Sequence, residues 1–141
     1  MSGIPYRSRN EDPPPAPGLL LKFWYKASHE CDAKIDTGAS ITCVPEAILR
    51  SIDAPSGTGP VTVIGYDGIP GEIAIYRVNI NVIEPDWAAD VASEFFEVEV
   101  LAIPPVTQGR DDAAEVLIGR DLLRNWALLL EGPRDMLHVQ T

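Results

Sequence analysis

The stretch AKIDTGASITCVPE, residues 33 to 46, decides the reading of this chain. Ala33 and Ile35 share one face of a strand, and that strand delivers Asp36 straight into Thr37-Gly38-Ala39-Ser40. A carboxylate at the edge of a core is costly unless something compensates it. Gly38 lets another backbone or a substrate come close, and the Thr37 hydroxyl can bond across a neighbouring loop. One carboxylate alone is a modest general base. Two carboxylates forced together cannot both stay ionised; one keeps a proton, and the pair can hold a water between a base and an acid. The chain has no second Asp-Thr-Gly or Asp-Ser-Gly, and Asp121 sits in Gly119-Arg120-Asp121, a different pattern. A partner carboxylate must therefore come from another copy of the chain, and a twofold axis through the loop would bring Asp36 against its mate.

Outward from this stretch the pattern is mostly strands. Residues 1–18 read as a flexible leader, because Pro13, Pro14, Pro15 and Pro17 favour extended geometry and little there can be buried. The folded domain is expected over 19–141. Residues 19–27, 31–36 and 40–44 read as three strands, followed by a short helix opened by Pro45 and Glu46. Residues 61–83 read as a hairpin, β-rich and interrupted by Gly65, Gly68 and Gly71. Residues 94–103 and the wholly apolar 116–119 read as strands, the second buried on both faces. Gly119-Arg120-Asp121-Leu122-Leu123 opens a second short helix, and 127–141 closes the chain as a hairpin around Gly132-Pro133. Many short strands with two helical turns predict an all-β, closed barrel-like domain.

Three features, in this order, carry a family resemblance. They are Ile35-Asp36-Thr37-Gly38-Ala39-Ser40; the glycine-rich hairpin Ile64-Gly65-Tyr66-Asp67-Gly68-Ile69; and Val116-Leu117-Ile118-Gly119-Arg120-Asp121-Leu122-Leu123. Together they resemble the retropepsins, the single-domain, homodimeric aspartic proteases, over roughly residues 19–141, and the closing hairpin is more like cellular and bacterial members than viral ones. The resemblance implies an acid-protease barrel with a flap hairpin and an endopeptidase activity that needs no cofactor or metal. Asp36 would be the catalytic carboxylate, one from each subunit. Thr37 would bond across the dimer axis, the Gly38 carbonyl and nearby backbone would bind substrate, and Ala39 would complete the active-site turn. Leu117-Ile118-Gly119 would pass behind that turn and support it. Arg120 would reach a polar group beside it, with Asp32 or Asp121 as candidates, since Ser40 stands where viral members often carry the acidic partner. Ile64 to Ile69 would form the flap over an extended peptide, with Ile69, Ile118 and Val63 lining apolar pockets. Viral chain termini interleave at the dimer interface; here Asp135–Thr141 is the expected counterpart. Tyr66 is open to two readings, a cover over substrate or an exposed turn residue. Two alternatives stay open for the whole chain: a catalytically silent dimerisation or peptide-binding module on the same fold, and a protease that works only after the leader is trimmed.

Other chemistry finds little support. With a net charge of -10, the surface would repel phosphates and anionic lipid, so nucleic acid and membrane are not expected partners. His29 and His138 lie far apart without ligand spacing. Cys31 and Cys43 lack a base arrangement and read as small core residues in a reducing compartment, with their pairing open. The first residues lack the apolar segment of a secretory signal, and a cytoplasmic location is expected.

Overall fold

The structure is a computed structural model, and it describes residues 3–6, 16–64, 68, 70–84, 95–104 and 115–140. Strand β1 is Gly3–Pro5, β2 Gly18–Trp24, β3 Ser28–Ile35 and β4 Cys43–Pro45, followed by helix α1, Glu46–Ser51. Then come β5 Val61–Ile64, β6 Pro70–Ile73, β7 Ile75–Glu84, β8 Phe96–Ile103 and β9 Val116–Ile118. A four-residue helix α2, Arg120–Leu123, leads into β10 Ala127–Glu131, a single 3-10 turn at Gly132–Arg134 and β11 Met136–Gln140.

Six strands close into a barrel in the order β2-β3-β9-β4-β8-β7. Period-two alternation fills it. Leu19, Leu21 and Phe23 from β2, Ala33 and Ile35 from β3, Val78 and Ile80 from β7, and Val100 and Ala102 from β8 point inward and are buried. Arg77, next to Val78 on β7, stays at the surface and pairs with Glu99 on β8. Helix α1 plugs one side of the barrel with Leu49, and Ile52 just beyond its end is equally buried. Each such side chain contributes about 1.5–3 kcal/mol relative to an exposed one. Pro45 stands at the cap of α1 rather than inside it, with ψ 132°.

Two pairings in the barrel are parallel, β3 with β9 and β4 with β8. Strand β9 also meets β4 antiparallel at Cys43↔Leu117, so it lies between β3 and β4. The connection 36–42 must therefore wrap round the end of β9, which places the 33–46 stretch against a segment some eighty residues later.

The barrel-like all-β architecture expected from the pattern is what the chain adopts. The first residues depart from expectation. Gly3–Pro5 pairs antiparallel with β11 in a separate sheet ordered β1-β11-β10. Ile4 is 2% exposed, packed with Leu137 and Val139 in the core. One apolar residue flanked by glycine and proline gives too short a pattern to read as a strand. Tyr6 continues the contact, its N–H donating to the Asp135 carbonyl at 2.7 Å. Strand β11 is thus flanked by β10 along Met136–Gln140 and by β1 at Met136, Leu137 and His138.

Because Ile4 is held in the core, Ile4→Ala should destabilise the protein by about 2–4 kcal/mol. Urea unfolding would show this as a lower midpoint at unchanged slope; an unchanged midpoint would mean that the first strand contributes nothing to the fold.

Candidate active site

Asp36 follows Ile35, the last residue of β3, and Gly119 follows Ile118, the last residue of β9. Ile35 and Ile118 are ladder partners in the parallel pair. Parallel strands run to the same end of a sheet, so both motifs emerge side by side at one end of the barrel. The pairing continues past the strand ends. Asp36 N–H donates to the Ile118 carbonyl at 3.0 Å, Arg120 N–H to Ala39 at 2.8 Å, and Asp121 N–H to Ser40 at 3.3 Å.

The Asp36 turn is held by its own atoms as well. Gly38 N–H donates to Asp36 Oδ1 at 3.0 Å, and Ala39 N–H to the Asp36 carbonyl at 3.2 Å. A Cβ on Gly38 would lie 3.3 Å from that same Oδ1, so the glycine keeps room for the carboxylate it orients. Asp36 is half-buried, whereas Thr37 and Gly38 are exposed at the tip.

A close backbone approach braces the turn at Gly119. A Cβ there would sit 2.5 Å from the Ile41 carbonyl carbon, 2.7 Å from its oxygen and 2.8 Å from Thr42 N. No side chain fits without moving main chain, so only glycine lets the 36–42 loop close over the end of β9.

Arg120 finds a partner other than the two carboxylates expected. Its Nη1 donates to the Thr37 carbonyl at 2.8 Å, clamping the tip of the turn from outside. Asp121 turns to Thr42, the sole fully buried polar residue among those described. Thr42 Oγ1 donates to Asp121 Oδ1 at 2.8 Å and accepts from Gly119 N–H at 3.1 Å. The same Oδ1 accepts from the N–H groups of Thr42 at 3.0 Å and Leu122 at 2.9 Å. Thr42 and Asp121 thus bolt loop, glycine and helix together, a role that the sequence reading missed. The only signal was a threonine on the inward phase of an apolar run, which asks for a buried hydrogen-bond partner without naming it.

Ile118 has no exposed surface in the single chain, so it supports the turn from beneath. Ile64 closes β5 and is 70% exposed, and Gly68 takes a left-handed φ of 72° in the tip between β5 and β6. Gly65, Tyr66, Asp67 and Ile69, along with the side chain of Val63, lie outside the described residues. The hairpin pairs Val61 through Ile64 with Ile73 through Pro70 as a separate two-stranded sheet. Pro70, which lacks a donor, sits on a strand with one strand neighbour among the described residues.

Both cysteines are half-buried free thiols. Burial first, then the Asp32 charge, pushes Cys31 up to about 11. Burial, then Asp121 and Asp36, pushes Cys43 up as well. Neither thiol is a ready thiolate at neutral pH, so thiol nucleophilic chemistry is disfavoured. Among the described residues no three His, Cys, Asp or Glu side chains converge as metal ligands, and no helix is long and apolar enough to cross a membrane.

No family model and no curated protein matches the chain. Solved structures do. The chain is similar to an inhibitor-bound EIAV protease, at 17% identity over 82% of this chain and 92% of that one, with TM-score 0.51. It also aligns with the retroviral protease-like domain of Ddi1 from Leishmania major, at 12% identity over 88% of this chain and 89% of that one, TM-score 0.49. The chain has the retropepsin-like aspartic protease fold.

Thr42→Val keeps the shape but removes the hydroxyl, leaving Gly119 N–H without its acceptor. It should cost about 1–3 kcal/mol in unfolding free energy, with Thr42→Ser close to wild type. Equal stability of the valine and wild-type proteins would show that the bolt carries no weight.

Proposed function

We propose that the protein is an aspartic endopeptidase in which two copies of the chain each contribute one Asp36. The observation that carries this reading is the way Asp36 is presented: a half-buried carboxylate at the end of a barrel, on a turn clamped by Arg120 and braced through Gly119, Thr42 and Asp121. So much fixed backbone around one carboxylate suits a reaction that depends on its position.

A single Asp36 lacks an acid to work with. Two of them across a twofold axis share one proton, because two carboxylates at contact distance cannot both ionise. The ionised member takes a proton from water, and the water oxygen attacks the peptide carbonyl carbon. The protonated member gives its proton to the carbonyl oxygen. The tetrahedral intermediate then collapses as the leaving nitrogen gains a proton and the C–N bond breaks. Thr37, at the exposed tip, would bond across the axis in this reading, and Arg120 holds its carbonyl.

Substrate would lie extended between the turn and the β5–β6 hairpin, bonding through its main chain as an added strand. The hairpin suits a cover. It forms its own two-stranded sheet, and Ile64, Pro70, Gly71 and Glu72 on it are exposed. Closure over a peptide would exclude water and bury apolar side chains such as Ile64 against the substrate. Gly65, Tyr66, Asp67, Gly68 and Ile69 complete this proposed flap.

The test is digestion of an unfolded protein mixture by wild type and Asp36→Asn, over a range of about pH 3 to 8, because the shared proton defines a bell-shaped profile. Mass spectrometry should find cuts made by wild type alone, with the asparagine variant folded and at background. Peptide binding without cleavage at any pH would replace this reading with that of a non-catalytic binding module, and cleavage retained in pure Asp36→Asn would overturn the mechanism.

A further inference from the structure

The β5–β6 hairpin lies outside the barrel ladder and joins the barrel by two arms. On one side a single residue, Ala74, separates β6 from β7, and its carbonyl accepts from the N–H of Ala102 on β8 at 2.9 Å. The other arm is Pro55-Ser56-Gly57-Thr58-Gly59-Pro60, after which β5 begins at Val61. Its first residues run beside β7. Arg77 N–H donates to the Pro55 carbonyl at 2.9 Å, Ser56 bridges Tyr76, and Gly57 N–H donates to the Ile75 carbonyl at 2.7 Å.

At Thr58 the hold passes from main chain to a side chain. One oxygen of Glu99 on β8, Oε1, accepts from Thr58 twice, from its N–H at 3.1 Å and from its hydroxyl at 2.7 Å. The chain bends at Thr58 and Gly59, where Gly59 takes a left-handed φ of 35°, and Pro60 brings no donor. Thr58 is thus bonded to the barrel where the arm leaves its ladder with β7.

The carboxylate is aimed from the barrel side. Glu99 and Arg77 are cross-strand partners, and Arg77 Nη2 lies 3.6 Å from the same Oε1. A Cβ on Gly57 would lie 3.2 Å from that oxygen and 2.7 Å from Ile75 Cγ2, so the missing side chain leaves Glu99 its path to Thr58. The Thr58 hydroxyl, above all, holds the Glu99 carboxyl below its ordinary value; desolvation opposes it, and the Thr58 N–H and Arg77 add to the lowering. Glu99 is therefore an ionised acceptor at neutral pH, and charge-assisted bonds are the stronger kind. As a surface ion pair with Arg77 alone it would add little to the fold. Its grip on Thr58 gives it a second role.

We propose that Glu99 is a positioning residue: by holding Thr58 it fixes the root of the β5–β6 hairpin, and so the placement of the hairpin relative to the barrel. That the hairpin covers a peptide rests on the endopeptidase reading above; the latch itself rests on the geometry at Thr58. With Glu99 in place the arm is ordered before a peptide arrives. Without it, ordering the arm subtracts from the free energy of binding, so the effect falls on KM rather than on kcat.

Hydrogen exchange of the full chain, read by mass spectrometry, tests the latch without any substrate. In Glu99→Ala the amides of β5 and β6 should exchange about 10-fold faster than in wild type, while those of β2, β3 and β9 keep their rates. Glu99→Gln retains an oxygen that accepts from Thr58 and should stay within about 3-fold of wild type. Unchanged hairpin exchange in Glu99→Ala overturns the proposal. So does an equal rise across the barrel, which marks general destabilisation, and so does a Glu99→Gln protein as fast as Glu99→Ala. In peptide cleavage, Glu99→Ala should raise KM about 10-fold with kcat within about 2-fold of wild type, and a loss confined to kcat overturns the positioning role. A hairpin that loosens in Glu99→Ala, in a protein whose wild type cleaves nothing, supports the latch while removing the endopeptidase reading.

Discussion

The architecture depends on one close approach, that of Gly119 to the main chain of Ile41 and Thr42. Parallel pairing of β3 with β9 carries Asp36 and Gly119 to the same end of the barrel, but pairing alone leaves two loops side by side. They become one rigid body because Gly119 has no side chain to hold Ile41 away, with carbonyl carbon and would-be Cβ only 2.5 Å apart. Once the chains are that close, Gly119 N–H needs an acceptor and water is shut out. Thr42 Oγ1 supplies it, and the remaining hydroxyl proton goes to Asp121. A steric permission thus creates a hydrogen-bonding demand, and the demand is met by side chains from both halves of the sequence.

The division of labour between Arg120 and Asp121 follows from this geometry. Adjacent residues at the start of a helix project in different directions. Asp121 goes inward to the buried Thr42, where a carboxylate must collect several donors, and its Oδ1 accepts from three groups. Arg120 goes outward to the Thr37 carbonyl, where its charge remains in contact with water. An ion pair between these neighbours would have sacrificed both contacts. The expectation was that Arg120 reaches a polar group beside the turn, with Asp32 or Asp121 as candidates; the group it reaches is the Thr37 carbonyl, for which it acts as a directional donor.

What the sequence made legible were features with local signatures. The alternation before Asp36, the turn chemistry of Thr37-Gly38 and the apolar run ending in Gly119 each show within a few residues, and the barrel follows from the number and spacing of such strands. Long-range partners were hidden. Thr42 sits in Ser40-Ile41-Thr42-Cys43-Val44, where a threonine suits any strand, and its meaning comes from residues 77 and 79 positions later in the chain. Ile4 was hidden differently. A lone isoleucine before a proline-rich stretch gives no periodicity, and its burial depends on β11 at the other end of the chain. The β5–β6 hairpin is the reverse case, readable as a glycine-rich hairpin while most of its tip lies outside the described residues.

The position of α2 ties these levels together. At its start, Arg120 and Asp121 hold the Asp36 turn; in its middle, Leu122 and Leu123 are buried in the core. Just past its end, Trp126 packs edge-on against Phe96 of β8, with ring centroids 5.8 Å apart and planes at 88°. Strand β10 begins at the next residue. Five residues therefore separate Asp121 from Ala127, and Leu122, Leu123 and Trp126 among them pack against the core. Short connections with buried anchors leave the Asp36 turn few ways to move relative to the barrel, and a carboxylate held by so many backbone contacts is presented in one position.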